Sequence, residues 1–313
     1  MTDRHLCTGL LAALAAALVG SAWQLVSRHG VTTTLGPMEL ALMRYGIPAL
    51  LLAPLWFGRA RGTRMAPAAS RATLALLVIG GGLPFGLLVL AGAQWAPASH
   101  MGIFMAGSLP LFTAIGARLQ GGQEGHKGHK GHKIGGMRLL GLGCIALGMA
   151  LFAAGSFRSG SLDWRGDLLF LAAAMLWATH SLAFARCGLT PWQGAAFVNG
   201  WSALLLLPLV AIAGAPRLLS APWADIALQA AGQGVVAGLL GLVVYMVAVA
   251  RLGAARASLS AALVPVLTTL GAAWWMNEPV TGAVLLALAL VVPGVVLASG
   301  AVRARAKVPT QAA

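Results

Sequence analysis

Long apolar runs alternate with short clusters of Gly, Pro, Arg or charged residues along the whole chain. Each run lasts about 20 residues, the length a helix rising 1.5 Å per residue needs to cross a hydrocarbon core about 30 Å thick. The pattern predicts ten spans, over 8–27, 37–57, 72–95, 98–118, 135–155, 167–185, 191–213, 226–250, 257–276 and 280–300. The runs lack the period-two alternation of a membrane barrel, so they predict helices and an all-α integral membrane protein. The connections are too short for an extramembrane domain. The first run also has the form of a signal peptide, with small residues at Gly20, Ser21 and Ala22. The internal repeat described below favours an uncleaved span instead.

Composition agrees with the pattern. Charged residues make up 9% of 313 and hydrophobic ones 59%, against about 25% charged in a soluble domain. The net charge of +14 would point to nucleic acid in a soluble protein, but its placement gives it another meaning. With the N-terminus inside, sixteen Lys and Arg fall on one side and only Arg28, Arg158, Arg165 and Arg217 on the other. That bias predicts a multi-pass protein of the cytoplasmic (inner) membrane with both termini cytoplasmic. Its basic face meets anionic lipid, and no nucleic-acid partner is expected. Trp95, Trp164, Trp192, Trp223, Trp274 and Trp275 read as an aromatic belt at the opposite face. Cys7, Cys144 and Cys187 have no motif spacing and read as small buried residues.

The chain repeats itself. Pro37, Gly46 and Pro54 recur as Pro191, Gly200 and Pro208 at an offset of 154 residues. At an offset of 155, Ala106, Pro110, Thr113, Gly116 and Ala117 recur as Ala261, Pro265, Thr268, Gly271 and Ala272. Prolines and glycines mark places where backbone geometry is specified, so their coincidence outweighs matches of Leu and Ala. The reading is five helices followed by five related helices, 1–156 and 157–313, together forming one membrane domain. Because five is odd, the second copy enters the membrane from the opposite side, giving a 5+5 inverted-topology repeat.

On these residues the chain resembles the EamA-type branch of the drug/metabolite transporter superfamily. The likeness is best over 251–300, where a small-residue helix, the central Pro265, the turn Asn277-Glu278-Pro279-Val280-Thr281 and a closing helix with Gly294 follow the family pattern. In the first half, Pro37 with Arg44, Pro110 and Gly148 resemble it. The resemblance implies a transporter with spans five and ten peripheral, most often an exporter of amino acids or related metabolites.

Residues 125–133, GHKGHKGHK, depart from that pattern. The second half manages without an equivalent, so the triplets read as an insertion in a cytoplasmic loop. Three His at a spacing of three could gather Cu²⁺, Ni²⁺ or Zn²⁺. Glycine at every third position and three repelling lysines favour a solvated basic loop over a metal site, and no metal or other cofactor is expected.

Polar residues inside spans are the candidates for chemistry. Arg44 cannot shed its charge and suits a substrate carboxylate or phosphate; the alternative is an arginine that snorkels outward or pairs with Glu39 or helix carbonyls. Trp177, His180 and Phe184 share one helix face that could meet an apolar substrate, with His180 able to relay a proton; the alternative is helix packing. Glu39 is the other candidate proton carrier. Asn199 and Tyr245 could bond a ligand or join helices. Gln24, Ser258, Ser260, Thr268 and Thr269 are weaker candidates, and the glycines of 80–86 and 238–241 read first as close helix packing.

No phosphate loop, metal-ligand spacing or catalytic triad appears, so the chain reads as a transporter and not an enzyme. The expectation is a secondary transporter of small organic metabolites with a midplane cavity lined by spans one to four and six to nine. A broad drug-efflux pump is the alternative, and a membrane-embedded enzyme or scaffold is the alternative of another class. Partners are a small-molecule substrate and the lipid bilayer, with a homodimer as a further possibility.

Overall fold

A computed structural model describes residues 3–57, 69–119, 135–158 and 160–299. The GHK triplets lie outside these residues. The described residues are helical apart from short connecting turns, with no strand among them. The segments are α1 (Asp3–Thr32), α2 (37–57), α3 (Arg71–Trp95), α4 (Ala98–Leu119), α5 (Gly136–Arg158), α6 (Asp163–Cys187), α7 (Pro191–Ala213), α8 (Trp223–Leu252), α9 (Ala254–Met276) and α10 (Gly282–Ala298). Eight of them, α1 and α3 to α9, are long and apolar enough to cross a membrane. Segment α2 is broken at Leu52, and α10 has 17 residues.

Local chemistry sets the helix ends. Pro37 and Pro191 occupy first helical positions, where no N–H is missed. Ser70, Thr190 and Thr281 cap α3, α7 and α10, each hydroxyl accepting the N–H three residues on. Gly188 and Gly253, at φ 71° and 81°, let the chain turn out of α6 and α8.

Four segments depart from α geometry at mid-length. The helix is π-wide over Leu42–Gly46 in α2, Gly102–Ala106 in α4 and Ala230–Gly241 in α8, and tightens to a 3₁₀ turn over Ser258–Ala262 in α9. In α4 and α9 regular helix resumes at Leu109 and Val264, one residue before Pro110 and Pro265. A proline there needs no N–H partner, so the repeated prolines mark two matching restarts.

Packing follows one scheme. Helix α1 lies against α8 and α9, α6 lies against α3 and α4, and α5 pairs with α10. Glycines make these approaches close. A Cβ on Gly80 would stand 2.9 Å from His180 Cα, and one on Gly294 would stand 2.9 Å from Gly141 O. The glycines of 80–86 and 238–241 sit at such contacts, against His180, Ser202, Tyr45, Val19 and the backbone of Arg44.

Two expectations need correction. Cys7 is exposed and Cys144 half-buried, and only Cys187 is buried, because α1 and α5 turn those faces outward. Trp164 opens α6 whereas Trp192 follows the other end of that helix, so the two stand at opposite ends of the bundle and Trp192 does not join the belt.

At the end of the bundle where α1 finishes, which we call the far end, hydrogen bonds knit distant segments together. Arg28 pairs with Glu278 (Nε to Oε1, 3.1 Å) and donates to Ala93 O (2.6 Å), while Glu278 Oε2 accepts the Ala98 N–H (2.9 Å). Thr34 donates to Asp225 (2.8 Å), and Gln229 and Gln233 of α8 donate to Val26 O (2.8 Å) and Ser27 Oγ (2.9 Å) of α1.

Candidate functional site: a central cavity around Arg44

The four irregular stretches converge. A cavity of about 100 Å³ is lined by Arg44 of α2, Met105 and Ala106 of α4, Ala237 and Gly241 of α8, and Ser260 and Ala261 of α9. All of these belong to π-wide or 3₁₀ turns. The regular helices α1 and α6 complete it with Gly20, Trp23, Gln24 and Trp177, and Tyr245 closes it from α8. Irregular backbone at mid-membrane depth is tolerated where it faces protein or a cavity, and widened turns recur at functional sites. The lining comes from α1, α2, α4, α6, α8 and α9; α3 and α7, expected to contribute, stand behind it.

Arg44 is 4% exposed, and its Nε and Nη1 have no hydrogen-bond partner. Its guanidinium lies 4.2 Å from the Trp23 ring, 5.6 Å from Tyr45 and 6.0 Å from Phe85. Cation–π contacts offset part of the cost of burial but satisfy no N–H group. Glu39 does not serve as counter-ion. Its carboxylate accepts the Gly36 N–H (3.0 Å) and the Arg217 N–H (3.2 Å), tying the start of α2 to the chain after α7. It is a buried cap remote from the lining.

Aromatic rings run from Arg44 across the site. Trp23 meets Phe85 at 5.8 Å, Phe85 meets Trp177 at 4.7 Å, and Trp177 meets Tyr245 at 5.0 Å. Trp23 is fixed by its indole N–H on Gln233 Oε1 (2.8 Å), and the Tyr245 hydroxyl by Ser181 (2.7 Å). The lining therefore combines one unpaired cation with a rigid apolar wall.

The structure brings three of the sequence candidates, Arg44, Trp177 and Tyr245, to the cavity. It also brings Gln24, which accepts from Thr268 (2.9 Å), and Ser260. Two others are elsewhere. His180 stacks on Trp177 (5.0 Å), but its Nδ1 faces Leu77 O (3.0 Å) across the gap left by Gly80 and Gly81, so the ring is sealed between α3 and α6. Asn199 donates to Ala195 O (2.9 Å) and Gly238 O (3.0 Å), joining α7 to α8. Asn199→Ala should lower thermal stability by about 1 kcal/mol while leaving substrate affinity unchanged. A tenfold affinity loss at normal expression would put Asn199 back among the ligand contacts.

Sequence reasoning missed Trp23 and Phe85. Also missed were His100 and Asp167, paired at 2.8 Å and both buried, so Glu39 and His180 are not the only titratable groups within the helices. Among the described residues no group of three His, Cys, Asp or Glu could hold a metal.

The fold and this cavity define a polytopic helical membrane protein with a charged, aromatic internal site. Residues 164–300, which run from α6 to α10, match the model of the EamA-like transporter family. The resemblance read from the sequence is thus shown there, and it supports a membrane transporter of the drug/metabolite type. Among solved structures 26 chains match. One, described only as "Crystal structure of protein", superposes with a TM-score of 0.61 over 95% of this chain and 98% of its own at 19% identity, and so supports the fold alone. No curated protein matches.

Proposed function

We propose that the chain is a secondary transporter that exports amino acids or related small organic metabolites bearing an anionic group across the cytoplasmic membrane. In this reading α2 and α10 also cross the bilayer, giving ten spans, and two inverted five-helix halves alternate access to the cavity. The mirrored contacts of α1 with α8 and α9, and of α6 with α3 and α4, support the repeat. So do the matching restarts at Pro110 and Pro265.

One observation carries the substrate class: the buried Arg44 guanidinium faces the cavity with two unused nitrogen donors. A substrate carboxylate would supply the missing charge and accept both bonds in a low-dielectric site. The aromatic wall would cover the apolar part of the same molecule. Arg44 also repels the apolar cations that a broad drug-efflux pump handles, which favours metabolite export over that alternative.

The test is metabolite release. Cells overproducing the protein should accumulate one class of amino acid or related anion in the medium. Arg44→Ala at equal expression should return release to the empty-vector level. If wild-type cells release nothing beyond the vector control, metabolite export is wrong and drug tolerance becomes the next assay.

A further inference from the structure

His100 and Asp167 are remote in sequence and meet in the interior. His100 lies in the first turn of α4 and Asp167 one turn into α6, and the imidazole Nδ1 is 2.8 Å from Asp167 Oδ1. Both side chains are more than nine-tenths shielded. Phe152 of α5 covers the imidazole at 4.6 Å, and Phe104 stands at 6.4 Å. Asp167 Oδ2 is buried and has no hydrogen-bond partner. A carboxylate with one bond where it can accept several is a poorly satisfied anion.

The surrounding charges leave this pair to itself. On α6, Asp163 is one turn away, and Arg165 is spread over the Trp95 ring at 5.0 Å and the Trp164 ring at 5.7 Å. From α1 and the α9–α10 turn, Arg28 and Glu278 approach, but they pair with one another. On α4 no other ionisable residue precedes Arg118, and α5 presents Phe152. The net charge of the buried pair is then set by a single proton. With it, imidazolium and carboxylate sum to zero; without it, a lone negative charge is buried.

The pair also adjoins the far-end seam. Ala98, two residues before His100, gives its N–H to Glu278, which holds Arg28 of α1. We propose that His100 and Asp167 form a proton-binding site whose occupancy decides whether the far end can close. The step is the uptake of one proton from water by the neutral imidazole, giving imidazolium beside carboxylate. The occupied pair tolerates burial and the far end shuts. When the proton returns to water, the uncompensated carboxylate needs solvent, and the far end stays open. The proposal rests on the alternating-access reading in that the far end must open at all.

The test uses Ser27, which is fully buried at the seam and accepts from Gln233. Ser27→Cys is introduced with Cys7, Cys144 and Cys187 changed to Ser, and the full-length protein is placed in nanodiscs. Its rate with a charged thiol reagent is divided by that of the exposed Thr32→Cys, and the same Ser27→Cys thiol in the Asp167→Asn and His100→Gln variants controls for its own ionisation. Between about pH 5.5 and 8.5 the normalised rate should rise about tenfold with pH. Asp167→Asn, never negative, should be slow and flat, whereas His100→Gln, with an unaccompanied carboxylate, should be fast throughout.

A flat wild-type profile overturns the proposal. So does a wild-type profile in Asp167→Asn, or equal, pH-independent reactivity in both variants, the result for a simple clamp. If Asp167→Asn fails to elute as a folded particle, His100→Gln decides alone, since retention of the wild-type profile sinks the proposal. Metabolite release without pH-dependent labelling leaves transport standing and removes the proton site. The converse leaves the site standing and removes the substrate assignment.

Discussion

Arg44→Met should abolish metabolite release and at the same time make the protein more resistant to heat. Both follow from one arrangement: a guanidinium 4% exposed, stacked 4.2 Å from Trp23, with Nε and Nη1 unbonded. An unpaired buried charge costs several kcal/mol, of which aromatic contact returns about 2. Methionine fills similar volume with no charge to desolvate, so the fold should gain about 1–3 kcal/mol, or a few degrees in melting temperature. The substrate loses a charge-assisted pair, at about 2–5 kcal/mol, so affinity should fall at least about thirtyfold. Arg44→Lys keeps the charge but not the two-pronged donor and should retain partial transport. Thermal shift and release, measured on the same preparations, decide the matter. A lower melting temperature in Arg44→Met would make Arg44 a structural residue.

Eight of the ten expected spans were legible because crossing a bilayer requires length and apolarity, and both can be counted along the chain. The irregular turns were not. Run 37–57 reads as one continuous span, yet it widens at Leu42–Gly46 and breaks at Leu52. Hydropathy records what a residue is, whereas a π-turn depends on what its backbone packs against, here Gly238 of α8 beside Arg44 O. The site divides the same way. Arg44 was visible because a charge in an apolar run stands out. Trp23 and Phe85 were hidden because an aromatic in such a run does not.

His180 and Asn199 stood with Arg44 among the candidates until their partners, Leu77 O and Gly238 O, were in view. Those partners lie 103 and 39 residues away, and no local pattern encodes them. The His100–Asp167 pair had a faint signal, two ionisable residues at the start of spans entered from the same face. Their pairing across 67 residues is tertiary information.

Glu278→Ala should loosen the far end more than any other single change there, because one carboxylate holds three segments. Its Oε1 takes Arg28 of α1 at 3.1 Å and its Oε2 takes the N–H of Ala98 at the start of α4, while the residue belongs to the turn after α9. Alanine would leave Arg28 with only Ala93 O and the Ala98 amide with nothing. Hydrogen bonds to charged groups contribute about 1.5–3 kcal/mol each. Arg28 and Glu278 side chains are 19% and 13% exposed, so solvent screens part of this and a total of about 2–3 kcal/mol is reasonable. Lost from the closed state alone, that shifts the balance toward the open far end by about 30- to 150-fold. The thiol of Ser27→Cys should then react faster by a similar factor, independently of pH. Glu278→Gln, which still accepts from Ala98 but cannot pair with Arg28, should fall between the two. If Ser27→Cys reacts as slowly in Glu278→Ala as in the parent, the Glu278 contacts are not what holds the seam shut. Closure would then rest on the glutamine contacts of α8 with α1.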